Sequence, residues 1–351
     1  MKKIFAISMF VLLLVLLLPL LFVPGFYFYR PIEENYPPEG PPKTEDATEI
    51  YPETDATIQA KVGADATLML SVLHDSEIVY MSMEDYLIGV VAAEMPARFH
   101  TEALRAQAIA ARTYSLYRML LEPAARHPEA YVCISYACCK AFLDEERLRE
   151  RWGAAYDYYI AQIRDAVNST DGIILLFEEA PILAAFHSSS YGFTEASGSI
   201  WGALPYLQSV ESFETVYDVP RFYDTLTFSF PQFREIVQNA VSGTVMTDDN
   251  IPYWISDVTY TPSGRLAHLN LGGVEVTGAQ FRRMFSLRSA FVMFSFDENG
   301  VTVTTGGYGH GVGMSQFGAN TMANAGATFS EILLWYYTDV TLGHFTFLFE
   351  S

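Results

Sequence analysis

The sequence predicts an α+β fold: a single mixed domain over residues 62–351, preceded by a membrane anchor at 1–29 and an acidic tether at 30–61. Three observations carry this. Two helical patterns run back to back over residues 82–120, short strand-like runs cut by Gly and Pro turns cluster at 67–80 and 255–304, and strands and helices do not alternate as a doubly wound parallel sheet requires. The middle of the chain leaves room for a smaller inserted subdomain. Among 351 residues, 41 are acidic and 21 basic, a net charge of −20. That balance argues against nucleic acid and against a polybasic membrane patch, whereas a neutral glycan tolerates an acidic protein.

In chain order, Met1-Lys-Lys is followed by an apolar run from Ile4 to Val23, broken by Ser8 and Pro19. About 20 apolar residues suffice to cross a bilayer, and the lysines put the N-terminus in the cytoplasm with the domain outside. A cleavable signal peptide is the rival, but no small-x-small cleavage site is evident. Phe26 to Tyr29 and Arg30 suit an interfacial anchor. Pro, Glu, Asp and Thr then dominate to about Ala60, the composition of an extended tether. Thr67–Val72 and Glu77–Tyr80 read as two pairing strands.

Ser82 with Asp85 three residues on opens the first helix, and Leu87, Val90 and Val91 form its apolar face. Glu94 falls on that face at the last turn, because Pro96 disfavours helix at Met95. Burial and the helix dipole would both raise the pKa of such a carboxyl and make a proton donor of it. The bland alternative is a paired or half-exposed carboxylate at a helix end. The second helix opens at Thr101. It is rich in alanine for close packing, and Gln107, Arg112 and Tyr114 are its candidates to line a cleft beside Glu94.

All three cysteines follow, in a loop with His127: Cys133, Cys138 and Cys139. The residues leave two readings open, one disulfide with a spare thiol or a closed tetrahedral Cys3His zinc site. Leu143 to about Ala166 reads as a charged helix. A hairpin of Ile173–Phe177 with Ile182–Phe186 then delivers His187, Ser188 and Ser189 to a strand end, where sites are usually built. A His187-Ser188 dyad is disfavoured, since adjacent residues on an extended chain point to opposite sides. Residues 211–254 offer little beyond a short helix from Phe230. A strand from Ile255 to the turn at Pro262-Ser263-Gly264 follows, then strands at 266–271, 274–276, 291–296 and 301–304, with a helix from Thr277 or Gly278. Gly306 to Gly318 spreads glycines around His310, with no Lys or Arg that would suit a phosphate loop. His310, Ser315 and Gln316 there read as neutral hydrogen-bonders to a sugar. A helix from about Ser330 to Tyr337 closes the chain.

Four blocks carry a resemblance. They are Glu84-Asp-Tyr-Leu-x-Gly-Val-Val-Ala-Ala-Glu-Met-Pro96, Glu102-Ala-Leu-x-Ala-Gln-Ala-Ile-Ala-Ala-Arg-Thr-Tyr114, Ala184-Ala-Phe-His-Ser-Ser-Ser-Tyr-Gly-Phe-Thr-Glu195 and Gly309-His-Gly-Val-Gly-Met-Ser-Gln-Phe-Gly-Ala319. In order, over about residues 66–342, they resemble the stage II sporulation protein D (SpoIID) family of lytic transglycosylases, which includes amidase enhancers. The resemblance implies cleavage of peptidoglycan glycan strands between N-acetylmuramic acid and N-acetylglucosamine, with Glu94 as the catalytic acid. Gln107, Arg112, Tyr114, His187, Ser188, Ser189, His310, Ser315 and Gln316 would bind the sugars. It further implies action on strands first denuded by a SpoIIP-type amidase, with that amidase and a SpoIIM-type membrane protein as partners, at the cell membrane during engulfment. In such proteins the cysteine loop commonly carries a His, a Cys, then a His-Cys pair. Here Cys138 stands where the second His is usual, which keeps zinc plausible with softer ligands. The functional alternatives are a non-catalytic glycan-binding enhancer of an amidase and, more weakly, a zinc or serine hydrolase.

Overall fold

A computed structural model describes residues 58–121 and 127–349. The expected span at 1–29 and nearly all of the tether lie outside those residues, and no described helix is long and apolar enough to cross a membrane. The described chain is mixed α+β and has two hydrophobic cores.

The larger core is built around two helices. α1 (Ala64–Thr67) leads into the antiparallel hairpin β1 (Met69–His74) and β2 (Glu77–Ser82). Ser82 then caps α2 (Met83–Glu94): its Oγ accepts from the Asp85 N–H at 3.1 Å and donates to the Asp85 carboxylate at 2.8 Å. Leu87, Val90 and Val91 are fully buried, each contributing about 1.5–3 kcal/mol over exposure. The helix stops at Glu94 because Met95, ahead of Pro96, is extended. α3 (Thr101–Leu120) packs on α2, and its Ala103, Ala106, Ala108, Ala110 and Ala111 are all buried. β3 (Val132–Cys133) joins β1 in parallel.

The single helix expected over 143–166 is two, α4 (Glu145–Trp152) and α5 (Tyr156–Asn168). The break falls at Gly153, whose φ of 51° no helical residue adopts. β4 (Ile173–Phe177) is buried, but its expected long hairpin partner is shortened to β5 (Ala180–Pro181). Pro181 has no N–H to extend a ladder, and the far edge of β4 is taken by β14 (Thr341–His344). The chain instead reaches β6 (Phe186–His187), which pairs in parallel with β13 (Met314–Ser315) and so sets His187 beside the glycine-rich segment.

Residues 223–306 supply the second core. One sheet is β8 (Ile255–Tyr260), β9 (Leu266–Leu271) and β10 (Val274–Thr277). The other is β7 (Tyr223–Phe228), β11 (Val292–Asp297) and β12 (Gly300–Gly306). Helix α6 (Phe230–Ala240) stacks Phe233 on buried Trp254, and at the end of α7 (Gly278–Met284) Phe285 stacks on Phe233 and packs against Phe281. β7 was not expected from sequence. None of its residues is fully buried, and it is held by threonine pairs, Thr225–Thr304 at 3.0 Å and Thr227–Thr302 at 2.9 Å, rather than by an apolar run. Two helices, α8 (Gln316–Asn324) and α9 (Phe329–Tyr336), complete the larger core; α8 was also unexpected, being short and begun by Gln-Phe-Gly.

Candidate functional site

Glu94 is half-buried, not buried as the apolar face of α2 had suggested. The bend before Pro96 turns its carboxyl toward the loop that follows the cysteines, and Oε1 accepts a 2.8 Å hydrogen bond from the Ala141 N–H. Oε2 has no hydrogen-bond partner among the described residues. That loop can lie so close only because position 89 is glycine. A Cβ there would stand 2.8 Å from the Leu143 carbonyl oxygen and collide with the Phe142 ring. Lys140, one residue before the anchoring amide, is buried with its ammonium over the rings of Phe186 and Tyr114, 3.4 and 4.3 Å from their centroids. Burial pulls Lys140 down to about 8, against the opposing influence of Glu94 and Cys139. A shallow depression of about 540 Å³ adjoins Ala141 and is bordered by Ala93, Arg147 and Arg151.

The glycine-rich segment meets this group through His310. Burial first, then the cations Lys140, Arg282 and Arg265, hold His310 well below the usual histidine range. The Val312 N–H donates to His310 Nδ1 at 3.1 Å, so the neutral ring carries its proton on Nε2. Half-exposed Trp201 lies 5.1 Å from the His310 ring, centroid to centroid, an aromatic face beside a polar group. Gly311, at φ 86°, lets the loop pass over the Arg265 guanidinium, which a Cβ would strike.

His187 is buried and held neutral, by burial first and then by neighbouring His310 and Arg265. Its Nδ1 therefore donates to the Val312 carbonyl (3.3 Å), and Nε2 accepts from the Ser190 hydroxyl (2.6 Å). The serine paired with His187 is Ser190, not Ser188, but Ser190 is fully buried and its N–H is tied to Glu214 at 2.5 Å. A locked, inaccessible hydroxyl is a poor nucleophile, and the pair orders the loop instead.

Several expected sugar-binding residues are elsewhere. Arg112 is a correction: it is fully buried, with Nε 2.9 Å and Nη2 2.5 Å from Asp65 carboxylate oxygens, and it also donates to the Ile173 and Val167 carbonyls. It staples α3 to α1 and β4. Ser315 is another correction; it caps α8 by accepting from the Gly318 N–H, and its hydroxyl donates to Glu214 inside the core. Ser189 is also buried, paired by backbone to Tyr308. Gln107 lies beneath Gln316, whose amide donates to it at 3.4 Å, so Gln107 supports the site from below. Glu94, Tyr114 and His310 are linked through Lys140, with His187 5.7 Å from His310 between ring centroids. Ser188 is half-buried and offers its carbonyl to the Phe317 N–H.

Sequence reasoning missed three charged groups. Lys140 is one. Glu214 is buried, accepts from Ser190, Ser212 and Ser315, and is raised by burial against those hydrogen bonds. Glu195 accepts from the Thr261 and Ser263 hydroxyls at 2.6 Å each and so ties the second core to the site. Its signal was available, as the one acid ending the Ser- and Thr-rich block.

The cysteine loop gathers His127, Cys133, Cys138 and Cys139 so that one ligand atom of each lies within 4.8 Å of the others. His127 Nε2 is 3.3 Å from Cys138 Sγ and 3.6 Å from Cys139 Sγ. None of the three cysteines is in a disulfide, and burial pushes the Cys139 thiol up to about 12. Three sulfurs and one imidazole at these separations fit a tetrahedral zinc with no position left for water.

A family model described as SpoIID, stage II sporulation protein, matches residues 74–177, which hold Glu94, the cysteine loop and Lys140. The protein named stage II sporulation protein D from Bacillus amyloliquefaciens is 36% identical over 299 residues, covering 82% of this chain and 83% of its own. Its Bacillus subtilis namesake is 37% identical over 259 residues, covering 73% and 72%. A B. subtilis protein named amidase enhancer is 28% identical, over 73% of this chain and 40% of its own.

Proposed function

The chain belongs to the stage II sporulation protein D family, and on that premise we propose that it is a peptidoglycan lytic transglycosylase acting on glycan strands during engulfment. The observation that carries this reading is Glu94 itself: one carboxyl, one oxygen fixed by the Ala141 amide and the other without a hydrogen-bond partner among the described residues. Hydrolytic glycosidases generally use a second carboxylate to activate water or attack the sugar. Here the nucleophile is the substrate's own C6 hydroxyl. Glu94 protonates the glycosidic oxygen as the bond from C1 of N-acetylmuramic acid breaks. As carboxylate it then takes the proton from the C6 hydroxyl while that oxygen bonds to C1, leaving a 1,6-anhydro end and a regenerated acid. His310, Tyr114 and Gln316 hydrogen-bond the sugars, Trp201 offers a stacking face, and His187 and Gln107 hold these groups from behind.

One zinc on His127, Cys133, Cys138 and Cys139 is part of the proposal. Its contribution is structural, since four protein ligands close its coordination and the loop they hold presents Lys140 and Ala141 to Glu94. The amidase and membrane-protein partners, and an anchor at residues 1–29 holding the domain outside the cell, belong to the same reading. A relative named amidase enhancer favours a second one, a non-catalytic glycan-binding module. Incubating the purified chain alone with peptide-free strands separates them. Anhydro-ended products without any amidase support the enzyme, and bound but intact strands support the enhancer.

A further inference from the structure

We propose that the outer face of the β7–β12–β11 sheet is a second glycan-binding surface, which carries the strand beyond the sugars at Glu94 and so favours long strands over short ones; this rests on the glycan reading above. Antiparallel register puts Tyr223, Thr225 and Thr227 of β7, Thr302 and Thr304 of β12 and Ser295 of β11 on one side of that sheet. The alternate residues Leu226, Val301, Val303 and Phe294 turn inward and pack in the second core. Tyr223, Thr225, Thr227 and Ser295 are exposed. Every residue of the outer set bears a hydroxyl and none a charge, in a chain whose net charge is −20. Charge enters only at the far turn, where Asp297 accepts from the Asn299 and Gly300 N–H groups.

A hydroxyl can donate one hydrogen bond and accept two. The cross-strand pairs Thr225–Thr304 and Thr227–Thr302 each use one bond, so every pair keeps a donor and acceptor sites to turn outward. Sugar hydroxyls have the same double character. Threonine pairs also steady a sheet, yet β7 is an edge strand, where exposed side chains are usually charged, and its exposed residues carry no charge. The face leads to the site. β12 ends at Gly306, four residues before His310, and the missing Cβ there makes room for the Tyr191 ring, which a Cβ would approach to 2.6 Å. Tyr191 follows Ser190, the partner of His187, and its hydroxyl lies 3.0 Å from that of Tyr223. From Tyr223 to Thr227 the face runs about 14 Å, at about 3.4 Å per residue, which gives length for sugars beyond those flanking the cleaved bond.

The test uses the full chain carrying Glu94→Gln, which holds strands without cutting them, and two peptide-free probes, a tetrasaccharide and strands several times longer. The ratio of long-strand to tetrasaccharide affinity is the readout, since the extra registers open to a long strand count equally in every variant. Adding Thr225→Val, Thr227→Val, Thr302→Val and Thr304→Val together keeps the β-branched shape and removes the hydroxyls. That ratio should fall by about ten-fold, with tetrasaccharide affinity within about two-fold of the Glu94→Gln chain. The single change Thr227→Glu, at an exposed edge position that tolerates charge, should lower the ratio in the same direction and stands in if the valine chain does not fold. A ratio unchanged by the substitutions, or an equal loss for both probes, overturns the inference and leaves the glycan reading standing. If neither probe binds the Glu94→Gln chain, the glycan reading falls and this inference with it.

Discussion

Arg112 separates two accounts of the second helix, because the pattern of residues suggests a sugar ligand and the structure shows a staple. Arg112→Met removes three contacts to Asp65 and the donors to the Ile173 and Val167 carbonyls while keeping an unbranched apolar stem. Breaking a buried pair from one side costs about 3–5 kcal/mol, since the partner is left buried and uncompensated. Asp65 limits the loss by taking up a proton, as burial already raises its pKa against the opposing pull of Arg112. At about 2–4 °C per kcal/mol for a domain of this size, the melting temperature should drop by roughly 6–20 °C. Asp65→Leu with Arg112→Met should recover most of that. Affinity for peptide-free glycan, measured well below the melt, should stay within about two-fold of the parent, as expected of additive, distant sites. An unchanged melt with a ten-fold loss of glycan affinity would refute the staple and return Arg112 to the cleft.

Two further outcomes follow from the loops around Glu94. Metal analysis of the purified chain should find one zinc per chain, and Cys133→Ala should abolish it; hydrogen exchange at the Ala141 N–H should then accelerate as the loop loosens, whereas unchanged exchange would disconnect the metal from Glu94. Stability should also depend on acid. The folded value of His187 is depressed, so its contribution is intact above pH 6.5 and is lost as pH falls below 6.5 toward the folded value, at up to about 1.4 kcal/mol per pH unit for one proton. Urea midpoints at pH 7.5 and 5.5 read this directly. His187→Gln should flatten the dependence, and an unaltered slope would mean that His187 is charged in the fold.

What the sequence made legible was what local chemistry decides. Ser82 capping, the apolar stripe Leu87-Val90-Val91 and the stop at Pro96 all act within a few residues, and the structure reproduces them. The strands from 255 to 304 were legible for the same reason, being divided by turns at Pro262-Ser263-Gly264 and Gly272-Gly273. Long-range partners were not. Arg112 meets Asp65 across 47 positions and Ser315 meets Glu214 across 101, and nothing in spacing says that these side chains face inward. Lys140 was hidden by its neighbours, since a lysine after two cysteines reads as solvent-facing until the loop is seen folded over Gly89. The half-buried setting of Glu94 depends on that loop too, so an argument confined to its helix overstated its burial.

The most direct measurement is product analysis of Glu94→Gln beside the parent chain on peptide-free glycan strands, with folding and strand binding monitored in both. The account predicts 1,6-anhydro ends from the parent and none from the folded, strand-binding variant. Anhydro ends released by Glu94→Gln would contradict it.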